Sequence, residues 1–163
     1  MTSDTLEIVQ FESRYRDDFK RLNVEWLEEY FYVEAIDHEV LSDPEGRILQ
    51  PGGAILLARQ NHEIVGTAAL IKAGDDRFEL SKMAVTRHHR GAGIGRVLLR
   101  AAIDCFKQTG AKTLFLESNS VLTPALTLYE SHGFRHAARP EGPSHYHRSD
   151  VYMVYQPPED GER

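Results

Sequence analysis

The chain has 163 residues, of which 41% are hydrophobic and 27% are charged, a balance typical of a globular domain. Its net charge of −6 argues against general nucleic-acid binding, which requires a basic surface. No apolar run reaches the roughly 18 residues that a membrane-spanning helix needs. We therefore expect one domain over residues 1–163, with 157–163 as a short tail, and neither a nucleic-acid nor a membrane partner.

The cysteine content and the first residues bear on the cellular location. Cys105 is the one cysteine, so the chain cannot form an internal disulfide. Its predicted position on the apolar face of a helix suggests a small buried side chain that fills space in the core. Residues 1–4 lack the basic and apolar stretches that begin a signal peptide. We therefore expect a cytoplasmic protein, either a monomer or a homodimer.

The first half of the chain shows strand and helix patterns in turn. Its predicted strands are rich in apolar residues and cover 6–11, 53–59, 63–71 and 77–85. Its predicted helices carry apolar residues at helical spacing and cover 15–30 and part of 35–41. The Asp-Pro-Glu-Gly sequence at 43–46 interrupts the second helix, and residues 60–62 are expected to join two of the strands as a hairpin.

A glycine-rich loop separates the strand at 77–85 from a predicted helix at 94–108. The loop consists of Arg90, Gly91, Ala92, Gly93, Ile94 and Gly95. Its glycines let the backbone approach a ligand closely, and the free N–H groups of the following helix favour an anion such as phosphate. Arg96 lies in the first helical turn, where the helix dipole disfavours a cation unless an anion is bound nearby. The alternative to an anion site is an ordinary tight turn whose neighbouring basic side chains are exposed to solvent.

Two familiar phosphate-binding patterns do not match this loop. No Gly-Lys-Ser or Gly-Lys-Thr follows it, so it is not a P-loop. The glycines at 91, 93 and 95 depart from the dinucleotide fingerprint, and no acidic residue ends a second strand about 20 residues later. The sequence therefore predicts an anion site of another kind.

The second half of the chain alternates strands with helices and closes with a hairpin. The helix behind the loop is predicted to bury Ile94, Val97, Leu98, Ala101, Ala102, Cys105 and Phe106. Strands are predicted at 112–118, 134–137 and 150–155. Thr123 and Pro124 are expected to be the N-cap and first residue of another helix, which Gly133 ends. This order of elements gives an α/β fold with a mixed sheet.

Two segments resemble the two characteristic motifs of the GNAT N-acetyltransferase superfamily. They read KMAV…RGAGIGRVLL and LESNSVLTPALTLYESHGF, and the resemblance is strong over residues 78–134. In the acetyl-CoA loop of that family an Arg or Gln is followed at set spacing by Gly and then by Gly or Ala, as Arg90, Gly93 and Gly95 are here. The resemblance implies a mixed, mostly antiparallel central sheet flanked by helices, whose splayed strands form the acetyl-CoA cleft.

The resemblance also implies that acetyl-CoA is the cosubstrate and indicates which residues bind it. These are Met83, Ala84, Val85, Arg90, Gly91, Ala92, Gly93, Ile94, Gly95, Arg96 and Asn119. The pantetheine would run beside the strand that ends at Val85, and the pyrophosphate would lie on backbone N–H groups of the loop. Asn119 is expected to bind the cofactor arm or to fix the splayed strands, with a turn or helix-capping residue as the alternative.

Two catalytic residues are implied in the same way. Tyr129 matches the family's tyrosine on the helix of the second motif, and an ordinary pKa of about 10 keeps it protonated, ready to donate to the leaving thiolate. Glu79 lies where several family members place a glutamate that deprotonates the amine through water. The alternative for Tyr129 is a purely structural tyrosine of the core. The alternative for Glu79 is a glutamate that lies at the surface or pairs with Lys82 or Arg77.

Other polar residues bear on metals and on the acceptor. No histidine has the spacing or the cysteine partners of a zinc site, so no metal is predicted. The polar segment 138–149 contains His145, Tyr146 and His147, which could line an acceptor site. Acidic residues of the first two helices could attract a cationic amine, although such a run is more often a solvated face. These are Glu25, Glu28, Glu29, Glu34, Asp37 and Glu39.

These observations predict an acyltransferase that moves an acetyl group from acetyl-CoA directly to a primary amine. No nucleophilic serine or cysteine elbow is present, which argues against a covalent acyl-enzyme. The acceptor is expected to be a small molecule such as an amino acid or a polyamine, with a protein N-terminus or lysine as the alternative. A non-catalytic acyl-CoA-binding sensor, an alternative of another class, would need neither Tyr129 nor Glu79.

Overall fold

The computed structural model describes residues 5–140 and 144–157, which contain a seven-stranded sheet and four α-helices. Residues 1–4, 141–143 and 158–163 lie outside the described part, and with them nearly all of the expected tail. The strands are β1 (Glu7–Gln10), β2 (Ala54–Gln60), β3 (Glu63–Gly74), β4 (Arg77–Val85), β5 (Thr113–Ser118), β6 (Phe134–His136) and β7 (Val151–Tyr155). The helices are α1 (Arg16–Tyr30), α2 (Ala35–Ser42), α3 (Ile94–Thr109) and α4 (Thr123–Ser131).

The sheet is mixed and mostly antiparallel, as the sequence predicts. Neighbouring strands follow the order β1-β2-β3-β4-β5-β7-β6, and β4 runs parallel to β5 while the other described pairs are antiparallel. Strands β2 and β3 form the predicted hairpin. Its turn residues Asn61 and His62 have positive φ angles of 52° and 66°, which suit the right-handed twist of a two-residue hairpin turn.

Helices cover both faces of the sheet and create two apolar cores. On one face, α3 packs through Leu98 and Ala102, which are fully buried. On the opposite face, α1 packs through Phe19 and Leu22. Gly66 on β3 allows α3 to lie close to the sheet, because a Cβ atom there would be 2.8 Å from Leu98 Cδ1.

The structure corrects details of the predicted helices. Val97 is 39% exposed, while Leu99 and Ile103 are buried, because the sheet covers the other flank of the apolar stripe on α3. Cys105 on the same helix is half-buried rather than fully buried. At the start of α4 the N-cap position belongs to Leu122, so Thr123 is already helical and no side chain caps this helix.

Strands β4 and β5 separate in the middle of the sheet. Their pairing begins at Arg77 and stops after Leu80, although β4 continues to Val85. A bulge at Lys82, which has a φ angle of 51°, bends β4 just beyond this point. The divergence opens a cleft between the two strands, which confirms the splayed arrangement that the resemblance implies.

Candidate active site

Three spaces lie along the cleft between β4 and β5. The loop groove is lined by residues that include Ala84, Val85, Arg90, Gly91, Gly93 and Leu128. The central cavity is lined by residues that include Lys82, Ser118, Asn119, Leu122, Arg148 and Ser149. The outer pocket is lined by residues that include Lys72, Arg77, Phe115, Glu117, Arg139 and Tyr152.

Neighbouring spaces share lining residues. Met83 and Tyr129 line both the loop groove and the central cavity. Glu79 and Tyr146 line both the central cavity and the outer pocket. The structure therefore brings the two predicted catalytic residues to the same cavity, with Tyr129 on the side of the loop groove and Glu79 on the side of the outer pocket.

The glycine-rich loop presents an open surface of backbone. Gly91 and Gly93 have φ angles of 85° and 81°, a left-handed conformation that favours glycine, and a Cβ atom at either position would meet nothing within 4 Å. Gly93 directly precedes the first turn of α3, where N–H groups are free to bind an anion. Arg96 is exposed in that turn and forms no ion pair with any described residue. The loop thus fits a phosphate ligand.

Arg90 fixes this loop to α1. Its Nε donates to the backbone oxygen of Val85 at 3.1 Å, and its guanidinium pairs with Glu29 and lies 3.3 Å from the Tyr30 hydroxyl. The hydrogen bond from Arg90 holds the pKa of Glu29 at about 2. Arg90 Nη2 is buried and has no hydrogen-bond partner in the described part of the chain.

Glu79 lies on the last paired stretch of β4, beside Phe115 of β5. Burial raises the pKa of Glu79 to about 7, and the negative charge of Glu117 adds to this rise. The two cations considered as partners have other contacts, since Lys82 pairs with Asp37 and Arg77 donates to the Tyr152 hydroxyl. Glu79 forms no ion pair among the residues described, so the paired alternative is not what the structure shows.

Tyr129 lies on α4 between the loop groove and the central cavity. Its ring packs edge-on against the buried Phe134, with 5.9 Å between ring centroids. Burial raises its pKa to about 12, so its hydroxyl is protonated at neutral pH. The hydroxyl makes no hydrogen bond with the described residues, and it is therefore available to a ligand in the cavity.

Asn119 is engaged by the protein itself. Its Nδ2 donates to the backbone oxygen of Arg148 at 2.6 Å, and its Oδ1 accepts from the backbone N–H of Val121 at 2.9 Å. These bonds tie the turn after β5 to the segment before β7, which fits the turn-residue alternative. Asn119 still lines the central cavity, and a contact with the cofactor arm stays a prediction.

A buried charge cluster, which the sequence interpretation missed, forms one wall of the central cavity. Lys82 Nζ lies 2.9 Å from Asp37, and Arg148 donates to both oxygens of Asp37 at 2.7 and 2.9 Å. Arg148 also binds Glu34 at 3.0 Å, and the Tyr146 ring faces the Lys82 and Arg148 cations. Burial alone would raise the pKa of Asp37, but the bonds from Arg148 and Lys82 outweigh it and lower the pKa to about 2.

Five of the six acidic residues singled out in the first two helices bind other parts of the chain. Glu25 accepts the backbone N–H of Arg87 at 2.9 Å, and Glu29 pairs with Arg87 and Arg90. Glu34 and Asp37 belong to the buried charge cluster, and Glu39 pairs with Arg47. These five carboxylates bind other parts of the chain, whereas Glu28 is exposed and forms no ion pair among the described residues. Attraction of a cationic amine by the run as a whole stays a prediction.

Replacing Asp37 by asparagine is expected to destabilise the protein by about 3 kcal/mol, because it leaves Lys82 and Arg148 buried without their common carboxylate. Urea unfolding followed by circular dichroism measures this loss. Glu39→Gln on the same helix is the control, because its pair with Arg47 is half-exposed and should contribute less than about 1 kcal/mol. Equal midpoints for the two variants would show that the cluster does not stabilise the fold.

The described part of the chain contains neither a cluster of metal-binding side chains nor a membrane-spanning helix. His145 and His147 are exposed, and His145 lines the outer pocket. No three His, Cys, Asp or Glu side chains within residues 5–140 and 144–157 are grouped so that they could hold a metal ion. None of the helices described is both long and apolar enough to cross a membrane.

Comparison with known sequences gives related acetyltransferases. An N-acetyltransferase of Schizosaccharomyces pombe is 31% identical over 147 residues, which is 85% of this chain and 85% of that protein. Streptothricin acetyltransferase of Streptomyces lavendulae is 40% identical over 44% of this chain and 39% of that protein. N-acetylaspartate synthetase of Danio rerio is 31% identical over 68% of this chain and 40% of its own length. The last two relatives are thus matched over less than half of their length.

Solved structures share the fold. An acetyltransferase of the GNAT family from Staphylococcus aureus superposes with a TM-score of 0.83 at 24% identity, covering 93% of this chain and 98% of that one. The yncA protein of Salmonella typhimurium, solved with its cofactor acetyl-CoA, gives a TM-score of 0.75 at 22% identity over 95% of both chains. Residues 11–134 match the model of the Acetyltransferase (GNAT) family. The chain therefore belongs to the GNAT family of acetyltransferases, and it is an acyltransferase.

Proposed function

We propose that this protein transfers an acetyl group from acetyl-CoA directly to the primary amine of a small molecule. The observation that carries the proposal is the shared central cavity. A general base, Glu79, and a general acid, Tyr129, border this cavity from the side of the outer pocket and from the side of the loop groove. Acetyl-CoA would enter from the groove, and the acceptor would enter from the pocket.

The chemistry follows from the protonation states of these two residues. Glu79, with a pKa of about 7, can accept a proton from the ammonium group of the acceptor, directly or through water. The freed amine attacks the thioester carbonyl, so that the new C–N bond forms as the C–S bond breaks. Tyr129, with a pKa of about 12, can donate a proton to the leaving thiolate. The resulting tyrosinate can take up the second proton that the nitrogen loses as the amide forms, which restores the hydroxyl. Since the pairing of β4 with β5 ends at Leu80, a backbone N–H group of β4 beyond this point can serve to polarise the carbonyl.

The position of the Cys105 thiol supports direct transfer of the acetyl group without an acetyl-enzyme. Cys105 lies on α3 and lines none of the three spaces, and burial raises the pKa of its thiol, which disfavours the nucleophilic thiolate. A covalent acetyl-enzyme at Cys105 is therefore not part of the proposal. The lone cysteine also fits the cytoplasmic location that we include in the proposal.

The size of the outer pocket supports a small acceptor. Its volume is about 380 Å³, which is within the usual range for small-molecule sites. Two relatives are named for small products or substrates, streptothricin acetyltransferase and N-acetylaspartate synthetase. A protein N-terminus or lysine is the competing acceptor, and a non-catalytic sensor is not favoured because the named relatives are acetyltransferases.

A thiol-release assay on an acceptor panel tests this proposal. The purified protein is mixed with acetyl-CoA and with free amino acids, polyamines, an aminoglycoside, or peptides with a free N-terminus or lysine. We expect CoA release with at least one small amine, together with an equal amount of N-acetyl product identified by mass. Transfer to peptides alone would replace the small acceptor by a protein. Acetyl-CoA binding without release for every amine would contradict the enzyme activity proposed.

Gly93→Ala is expected to weaken CoA binding at least tenfold, because a methyl group would occupy the open space in front of the loop N–H groups. Isothermal titration with CoA measures the change in Kd. Gly110→Ala is a matched control, since Gly110 has a similar φ angle of 76° at the other end of α3 and also meets nothing within 4 Å. Both variants should lose about 1 kcal/mol of stability from the left-handed conformation. Equal Kd values for both would show that the loop does not hold CoA.

A further inference from the structure

Among the residues that the structure describes, the outer pocket is lined by more cations than carboxylates. Its described cations are Lys72, Arg77 and Arg139, and its carboxylates are Glu79 and Glu117. Glu117 pairs with Arg139 at 2.7 Å, so these two charges cancel. Lys72 is exposed and forms no ion pair among the residues described. Within the described lining, Lys72 and Arg77 therefore remain with one carboxylate, Glu79, an arrangement that suits an acceptor with a negative group.

Arg77 is the cation best placed to bind that group. Its guanidinium lies 4.5 Å above the Phe115 ring, and its Nη2 donates to the Tyr152 hydroxyl at 3.1 Å. Phe115 and Tyr152 stack on each other with 5.4 Å between their centroids, so Arg77 lies on a rigid aromatic support. No carboxylate of the described chain binds Arg77. Its other nitrogens are therefore available, and a fixed guanidinium plane suits bidentate binding of a carboxylate.

Arg77 and Glu79 also lie at a suitable spacing. They are two residues apart on β4, so they project from the same face of the sheet about 6–7 Å apart along the strand. A molecule between them can place its amine at Glu79 and an anionic group at Arg77. A polyamine would instead place a second cation beside Arg77, where like charges repel.

We propose that Arg77 anchors a carboxylate of the acceptor, so that the acceptor is an amino acid rather than a polyamine. This inference rests on the function proposed above and narrows its substrate class. Arg77 then determines specificity: it binds the acid group while Glu79, next to the central cavity, receives the proton of the amine. Lys72 at the rim of the same pocket adds to the attraction of anions.

Paired acceptors provide the test. The probes are the free amino acids and their carboxamides, which keep the amine and lose the negative charge. The measured quantity is kcat/KM for the best acid divided by kcat/KM for its amide. In Arg77→Gln this ratio should fall by about 10- to 100-fold relative to wild type, the usual size of a charged hydrogen-bonded contact. Comparing the ratio between proteins cancels the intrinsic difference in amine reactivity between acid and amide.

Two further variants separate specificity from damage to the fold. Arg77→Lys keeps the charge but loses the planar fork, so its ratio should lie between those of wild type and Arg77→Gln. Arg21→Gln removes an exposed arginine of α1 that lines none of the three spaces, and its ratio should equal that of wild type.

The outcomes distinguish the two proposals. Transfer to amines with an unchanged acid-to-amide ratio in both Arg77 variants would overturn the carboxylate anchor and leave the proposed function standing. Preference for a polyamine over every amino acid would also overturn the carboxylate anchor and leave the proposed function standing. Failure of the wild-type protein to acetylate any amine would contradict the proposed function, and the anchor with it.

Discussion

Replacing Tyr129 by phenylalanine is expected to lower kcat by about 10²–10⁴-fold, the usual contribution of a general acid or base. The substitution keeps the ring and its packing against Phe134 and deletes only the hydroxyl group, and with it the proton to be donated. The affinity for CoA should hardly change, because the proposed phosphate site is the glycine-rich loop and not Tyr129. Steady-state kinetics with the best acceptor, together with a CoA titration and a melting curve, measure these three quantities.

Tyr155→Phe is the matched control for this prediction. Tyr155 packs against the same Phe134, with 5.5 Å between centroids, and lines none of the three spaces. Its loss of hydroxyl should leave kcat within about threefold of wild type, far from the range expected for an acid. If Tyr129→Phe melts normally and turns over as fast as the control, the proton reaches the thiolate from water.

Glu79→Gln is expected to lower kcat/KM to a similar extent and to change its dependence on pH. In the wild-type protein the carboxylate form increases as the pH rises through about 7, so the rate should rise over the same range. Glutamine cannot accept the proton, and this acidic limb should disappear. Profiles of kcat/KM between pH 5 and pH 9 measure the effect, with Glu63→Gln, an exposed residue on β3, as the control.

The stability of Glu79→Gln gives an independent check with a defined sign. The pKa of Glu79 is raised from 4.5 to about 7, so its ionisation is less favourable in the folded than in the unfolded state. Stability is therefore lost as the pH rises through this interval. The neutral variant avoids that loss and should be at least as stable as wild type at pH 8. A retained acidic limb in a stable variant would return Glu79 to a structural role.

Local pattern was sufficient for most of the fold. Alternation and helical spacing located the strands and helices, and the paired motifs indicated the two elements, β4 and α4, from which Glu79 and Tyr129 line one cavity. The apolar stripe of α3 was misjudged at Val97, because spacing alone does not tell which flank of a stripe the sheet will cover. The cap of α4 was misplaced because Thr123 is a good capping residue in isolation.

The buried charge cluster could not be predicted from local sequence patterns, because it joins residues that are far apart in the chain. Asp37 and Lys82 are 45 residues apart, and Asp37 and Arg148 are 111 apart. One signal was present: Lys82 occupies a position between buried Leu80 and Ala84 in an alternating strand, where a cation requires a buried partner. The bulge that turns Lys82 towards α2 has no comparable local signature, since lysine rarely adopts a positive φ angle.

The central claim is that acetyl-CoA and the amine meet in one cavity and react directly. Initial velocities measured over a grid of acetyl-CoA and acceptor concentrations test it, because a direct reaction requires both substrates to be bound together. We predict double-reciprocal lines that intersect to the left of the vertical axis. Parallel lines, together with a labelled acetyl group retained on the protein after incubation with acetyl-CoA alone, would contradict direct transfer from acetyl-CoA to the amine in the cavity that Glu79 and Tyr129 line.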